Sequence, residues 1–420
     1  MNFSPQLGFI VFRVILPIVL FSMQYMIYRR AAKWLKTTYP DAKWAIYITR
    51  VLFVVFNAAA LYLFLERPRT AELPEWFMYT GVYPFAIWHG GTFFVALFVL
   101  FSSLIKLPFK LTVWISKRFT APKRKIEQIQ ARPAFQKFDS SRRLFLRRSM
   151  YGLTAVSFGG NAYGLLFGKS SYDITEATFA IPHLPPGLSG FTIGLISDIH
   201  SSIFMGKTEM DEYVRLVNSL QTDMIVVPGD FVNSAVEEVY PFAESFSKLR
   251  APLGVYGVMG NHDFYNRNPD LVAKEVNDCG VTLLRNDKTI IEKNGDQFYL
   301  IGVDDVGRAN TAMVKFDIAI GHAPLRIPKI LLCHRPYYLR QAADRNIDLV
   351  LSGHTHGGQI VLGRIGDTII APASIASTYI WGKYSLGNTH MYVSRGIGTV
   401  GLPIRINCPA EITKITLVRT

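Results

Sequence analysis

The sequence predicts an α/β domain of layered sheet and helices over its C-terminal part, preceded by an α-helical domain with several membrane spans. Three observations carry this. Long apolar stretches fill the first 168 residues, short apolar runs ending at Asp, His or Asn follow from Phe191, and helical segments alternate with those runs. A chain of 420 residues exceeds one typical domain. Hydrophobic residues make up 50% of it, which points to membrane segments.

Apolar stretches run from Leu7 to Tyr28, Trp44 to Leu65, Val82 to Ile105 and Met150 to Phe167. The first three exceed the ~20 residues a spanning helix needs, and the fourth is shorter and Gly-rich. Residues 1–168 are therefore expected to form a membrane domain with about four transmembrane helices. Arg13 and Arg50 sit in or beside these stretches, where snorkelling or helix packing explains them.

Charge is divided unevenly. The net +14 splits into +17 over residues 1–169, from 23 Lys and Arg against 6 Asp and Glu, and −3 over the rest, from 22 against 25. An enzyme of nucleic acids would carry its basic surface around the site, so nucleic acid is not expected as a partner. The lipid bilayer is. The loop after Tyr28 holds Arg29, Arg30, Lys33, Lys36 and Lys43, the next is nearly neutral (Glu66, Arg67, Arg69, Glu72, Glu75), and that from Lys106 to Arg148 is strongly basic. Basic loops stay cytoplasmic, so everything after Phe167 is expected on the far side. That predicts a multi-pass protein of a bacterial inner membrane, with its second domain periplasmic or extracellular. Ser141-Arg142-Arg143-Leu144-Phe145-Leu146-Arg147 resembles a twin-arginine export signal, which agrees with this orientation.

Residues 169–190 read as a linker, because Pro182, Pro185 and Pro186 cluster there. Residues 191–420 form the second domain. Its first run, Phe191 to Ser197, ends at Asp198-Ile199-His200. Met224 to Val227 ends at Gly229-Asp230, and Gly254 to Met259 ends at Gly260-Asn261-His262-Asp263. Lys329 to Cys333 ends at His334, and Leu349 to Ser352 ends at Gly353-His354-Thr355-His356. Continuous β-branched runs of this length read as strands buried on both faces. Helices are expected at Thr208 to Leu220, with Thr-x-x-Asp as a cap-like start, at Pro241 to Leu249, and from Pro269 behind an Asn268 N-cap. Sites on such sheets form at the C-terminal strand ends, where every Asp, His and Asn just named falls. Carboxylate, amide and imidazole donors suit Mn, Zn or Fe. Cys279, Cys333 and Cys408 have no metal or redox spacing and read as buried small hydrophobes.

The ordered series DxH, GD, GNHD, H and GHTH resembles the calcineurin-like metallophosphoesterase superfamily, from Phe191 to the C-terminus. The resemblance implies a layered β-sandwich flanked by helices and two divalent metal ions (Mn, Zn or Fe). It implies that Asp198, His200 and His356 bind the first ion, that Asp230 bridges, and that Asn261, His334 and His354 complete the second. It also implies catalytic roles for His262, as donor to the leaving group, and for Asp263, as the group orienting its imidazole. The run Tyr392-Val-Ser-Arg395-Gly-Ile-Gly398, with Pro403-Ile-Arg405 and Pro409-Ala-Glu411, is similar to a subgroup of membrane-associated phosphoesterases. That subgroup includes a UDP-2,3-diacylglucosamine pyrophosphohydrolase of lipid A synthesis.

The function expected is a membrane-anchored, dinuclear phosphoesterase cleaving phosphate-ester or pyrophosphate bonds in cell-envelope substrates, some of them lipid-linked. Two alternatives stand beside it: that pyrophosphohydrolase, facing the cytoplasm, and a catalytically silent sensor or scaffold. Arg335 and Arg395 lie near the strand ends and suit either phosphate binding or loop anchoring.

Overall fold

The computed structural model describes residues 14–66, 73–168, 171–266, 268–305, 309–324, 326–366 and 368–419. Arg13, Arg67, Arg69, Glu72, Lys169 and the start of the Leu7 to Tyr28 stretch lie outside them. The chain divides into two compact units, one numbered 1–68 and 76–163, the other 69–75 and 164–420.

The described part of the first unit is helical, with helices Leu16–Thr38, Lys43–Glu66, Tyr83–Ser116, Thr120–Ala131 and Pro133–Tyr163. Proline sets several boundaries. Pro17 and Pro84 lie in first turns, where a missing N–H costs nothing. Arg132 is extended (ψ 133°) because Pro133 follows it, which separates the last two helices. Among the described residues, two helices are long and apolar enough to cross a membrane, Lys43–Tyr62 and Glu75–Ser116. Val54, Phe101, Leu104 and Phe109 are more than half exposed along them. The Leu16–Thr38 and Pro133–Tyr163 helices do not join this set. Arg29, Arg30, Lys33 and Lys36 occupy the second half of one, and Arg142, Arg143, Arg147 and Arg148 the middle of the other. Arg142 and Arg143 both donate to Asp139 within that helix.

The second unit is a mixed α/β fold. Its strands are β1 (Tyr172–Ile181), β2 (Thr192–Leu195), β3 (Met224–Val227), β4 (Val255–Gly257), β5 (Thr282–Leu283), β6 (Asp287–Lys293) and β7 (Asp296–Val303). Then come β8 (Lys329–Cys333), β9 (Leu349–Ser352), β10 (Gly363–Ile365), β11 (Thr368–Ile370), β12 (Gly382–Leu386), β13 (Thr389–Val393) and β14 (Ala410–Arg419). One sheet runs β1-β14-β2-β3-β4-β5 and the other β12-β13-β9-β8-β7-β6, with β10 and β11 as a separate hairpin.

Side-chain alternation explains why the two sheets stack. On β3, Met224 and Val226 face the layer between the sheets, while Ile225 and Val227 face the helices outside. On β8, Ile330 and Leu332 face inward, and Leu331 and Cys333 face Phe316, Leu339 and Ala342. Both faces are buried, so the runs are apolar throughout. Each such side chain contributes about 1.5–3 kcal/mol by leaving water. The outer layer on the first sheet consists of helices Lys207–Ser219, Val239–Phe246 and Pro269–Asp278. Asn268 caps the third of these, its side chain accepting from Leu271 N at 3.2 Å.

Two expectations need correction. The stretch read as linker contains β1, which pairs in parallel with β14 along its whole length, from Tyr172↔Ala410 to Ile181↔Arg419. Its alternation hides it: Ala177, Phe179 and Ile181 are buried while Tyr172 to Ile174 are exposed. The first outer helix starts one residue earlier, after Gly206, which has no side chain to cap with; Thr208 lies inside the first turn, and Asp211 bonds Lys207 and Lys248.

Candidate metal centre

Five strand ends, from β2, β3, β4, β8 and β9, deliver the polar residues. Beyond β2 and β3 the chains stay paired: Asp198 N donates to Gly229 O at 3.1 Å and His200 N to Asp230 O at 3.0 Å. Along this pairing the backbone turns left-handed at Asp198 (φ 51°), His200 (φ 48°) and Asp230 (φ 56°), and again at His354 (φ 76°) and His356 (φ 51°). A non-glycine residue in that conformation costs about 1–3 kcal/mol, so five together mark a site the fold holds at a cost in stability. Gly260 and Gly353 are needed for space: a Cβ would fall 2.2 Å from Asp230 Oδ1 and 2.1 Å from Asp198 Oδ2.

Two groups of donors result. In one, His356 Nε2 lies 3.0 Å from His200 Nε2 and 3.5 Å from Asp198 Oδ1. In the other, His334 Nε2 lies 3.1 Å from Asp230 Oδ2 and 3.3 Å from His354 Nδ1. Asp230 Oδ2 is also 3.3 Å from His200 Nε2, so this one oxygen belongs to both groups. Asn261 is buried beyond the end of β4, and its Oδ1 accepts no hydrogen bond among the described residues.

These residues fit divalent cations. Asp198 and Asp230 are buried with no Lys or Arg in an ion pair among the described residues, although a buried carboxylate needs a compensating charge. Asp230 Oδ2 accepts no well-aligned hydrogen bond among the described residues. Imidazole nitrogens meet in pairs at hydrogen-bond distance, and burial holds His356 well below the ordinary histidine value and His354 down at about 2. His334 differs: burial works to lower it, but Asp230 overrides this and raises it to about 10, so a cation there would replace a proton. Elsewhere neutral nitrogens converge on buried carboxylate oxygens, the arrangement a divalent metal ion recruits.

His262 is half-buried, its ring 4.5 Å edge-on from that of His200. Its Nδ1 lies 2.6 Å from Asn233 O, so Nδ1 carries the proton and Nε2 is left for a ligand. Burial, reinforced by His200, pushes its pKa down to about 4, so the free ring is neutral at pH 7.

Asp263 does not meet the His262 ring. Its oxygens accept from four main-chain N–H groups: Phe231 at 2.8 Å, Val232 at 3.1 Å, Asp230 at 3.0 Å and Gly260 at 2.8 Å. It ties the Asp230 turn to the Gly260 turn. The group behind the orientation of His262 is Glu238, whose Oε2 accepts from the N–H of Asn233, Ser234 and Ala235 at 2.9, 2.7 and 3.0 Å. It fixes the loop that presents the Asn233 carbonyl. Nothing in the local sequence flags Glu238, because its partners are all backbone.

Arg335 is held by Asp305 at 2.6 and 3.2 Å, and Arg395 by Glu411 at 3.1 Å and Asp173 at 3.0 Å, so both anchor loops. All three cysteines are free.

Residues 191–358 match the family model described as calcineurin-like phosphoesterase. The chain is 31% identical over 289 residues to an uncharacterized metallophosphoesterase, YkuE, of Bacillus subtilis, covering 67% of this chain and 98% of that one. It is 30% identical over 268 residues to a transmembrane protein with metallophosphoesterase domain from Danio rerio, covering 61% of this chain and 59% of that protein. This chain thus spans less than two thirds of that relative's length. Against the phosphodiesterase YaeI of Escherichia coli the identity is 28% over 231 residues, covering 54% and 82% of the two chains.

Proposed function

The chain belongs to the calcineurin-like phosphoesterase family, whose chemistry is metal-dependent phosphoester hydrolysis, and we propose that it performs this chemistry anchored in a membrane. The substrates are phosphate esters or pyrophosphates of the cell envelope. The observation that carries the hydrolase reading is the meeting of Asp198, His200 and His356 with Asp230, His334 and His354 through one shared carboxylate oxygen.

Asp198, His200 and His356 would hold one ion, Asn261, His334 and His354 the other, and Asp230 both. Two divalent cations there, of Mn, Zn or Fe, would acidify water and neutralise charge on phosphoryl oxygens. The protein supplies the rest. His262, with Nδ1 committed to Asn233 O, keeps Nε2 for a substrate oxygen. Asp263 keeps Asp230 from swinging away by bonding its backbone N–H. Tyr265 packs beside His262 and Tyr337 beside His354, with ring centroids 4.8 and 5.6 Å apart.

Two long apolar helices and the exposed aliphatic and aromatic side chains along them support the anchor. In the arrangement proposed, the chain crosses a bacterial inner membrane several times, with residues 191–420 as the catalytic domain on the outer side. A second reading rests on the closing run from Arg395 to Glu411: a UDP-2,3-diacylglucosamine pyrophosphohydrolase facing the cytoplasm. Purified full chain with Mn²⁺ is offered an aryl phosphodiester and envelope phospholipids; the absence of metal-dependent turnover on every one would sink the hydrolase reading. Alkaline phosphatase fused after Thr420 separates the two orientations, being active only outside.

A further inference from the structure

Arg405 is the largest of the fully buried side chains, at 1% exposure, and makes no ion pair among the described residues. A buried guanidinium without a carboxylate is expensive unless its donors are otherwise met. Here Nη1 and Nη2 are met by main-chain carbonyls, while the buried Nε has no hydrogen-bond partner among the described residues. Nη2 donates to Arg395 O at 2.9 Å, Gly396 O at 3.0 Å and Gly398 O at 2.6 Å, and Nη1 to Cys408 O at 3.2 Å. The backbone of Arg405 is fixed too, its N–H donating to Gly164 O at 3.2 Å. Gly168 packs so close that a Cβ there would lie 1.9 Å from Arg405 O.

The segment gathered in this way is the one that wraps a single half of the metal centre. Ile397 N donates to Ser197 O at 3.0 Å and Gly398 N to Asp198 O at 2.7 Å. Gly396, at φ 64°, passes so close to Asp198 that a Cβ would meet the Asp198 Cβ at 2.6 Å. Gly398 O, already bonded to Arg405, also accepts from His356 Nδ1 at 3.2 Å. One carbonyl thus joins the guanidinium to a candidate ligand and sets that ligand's tautomer, leaving Nε2 to face His200. The other half has a different support. His334 Nδ1 donates to Pro228 O at 2.8 Å, at the end of β3.

We propose that Arg405 is a positioning residue for the Asp198–His200–His356 half of the centre alone. It acts by holding the Gly398 carbonyl against His356 and the Gly396–Gly398 backbone against Asp198. This rests on the two-cation reading above.

The test uses the full chain, purified in detergent and stripped of metal, titrated with Mn²⁺ by calorimetry and followed by electron paramagnetic resonance. Wild type is expected to take two Mn²⁺ that couple magnetically. Arg405→Met should weaken one site by roughly 10–100-fold, the range for outer-shell partners of metal ligands, and replace the coupled signal with that of a single ion. Arg405→Lys keeps the charge but not the planar fork that reaches several carbonyls. It should fold even if the Met variant fails to, and should weaken the same site by less. Equal weakening of both sites, or two coupled ions in both variants, overturns the inference and leaves the proposed function standing. A wild type that binds no Mn²⁺ overturns both.

Discussion

The two halves of the candidate metal centre use the same kinds of residue but are held in different ways. Asp230, His334 and His354 sit on strand ends of the sandwich, with Pro228 O and the four N–H bonds to Asp263 behind them. Asp198, His200 and His356 need the chain to return after β13 and close over them, with Arg405 gathering that return. One half is a product of the sheets themselves. The other is completed only when residues 395–409 dock. The difference teaches that ligand identity and ligand support are separate problems, and that support reaches far along the chain.

Asp230 is where the halves meet, so its change has the largest expected effect. Asp230→Asn should abolish paired metal binding and cut turnover by more than the roughly 100-fold at the top of the range for outer-shell partners. Metal analysis and kinetics on one sample check it. Next come single-half changes. His356→Ala should leave one Mn²⁺ bound through the Asp230 group, and His334→Ala one through the Asp198 group, as counted by titration. Equal loss in both would erase the contrast.

Glu238→Ala touches neither half. It frees the loop carrying Asn233 O, so His262 loses the acceptor of its Nδ1 proton. Metal stoichiometry should stay at wild type while turnover falls by roughly 10–100-fold. The drop should be greater for substrates with poor leaving groups, as rates across a series of aryl esters will reveal.

The smallest effect lies away from the centre. Burial pulls the Asp211 carboxyl upward, but Lys248 and Lys207 override it and bring its pKa to about 2. A carboxylate with a lowered pKa contributes stability above its ordinary 3.8, and that contribution is lost as pH falls through about 2. Asp211 is about a third exposed, so screening limits the gain, and Asp211→Asn should cost under about 1 kcal/mol in neutral denaturant unfolding, with no change in metal binding.

Most of the centre was legible in the amino-acid sequence, and physical reasons mark where legibility stopped. β3, β8 and β9 read cleanly because burial on both faces writes an unbroken apolar run. The candidate ligands read cleanly because they follow those runs beside glycines. β1 did not, since its partner β14 lies at the far end of the chain and its outer residues are exposed. The orientation of His262 did not either. Its partner is a main-chain carbonyl, which any residue could supply, and Asp263, the carboxylate next in sequence, turned out to serve the backbone. Arg405 stood in a noticed motif, but its role depends on carbonyls brought together only in the fold.

The most direct test of the account is the number of ions the intact chain binds. Metal-free wild type titrated with Mn²⁺ should take two per chain and show a magnetically coupled pair, and Asp230→Asn should lose that coupling. A stoichiometry of zero or one in wild type, or a coupled pair that survives Asp230→Asn, would contradict a centre built around one shared carboxylate.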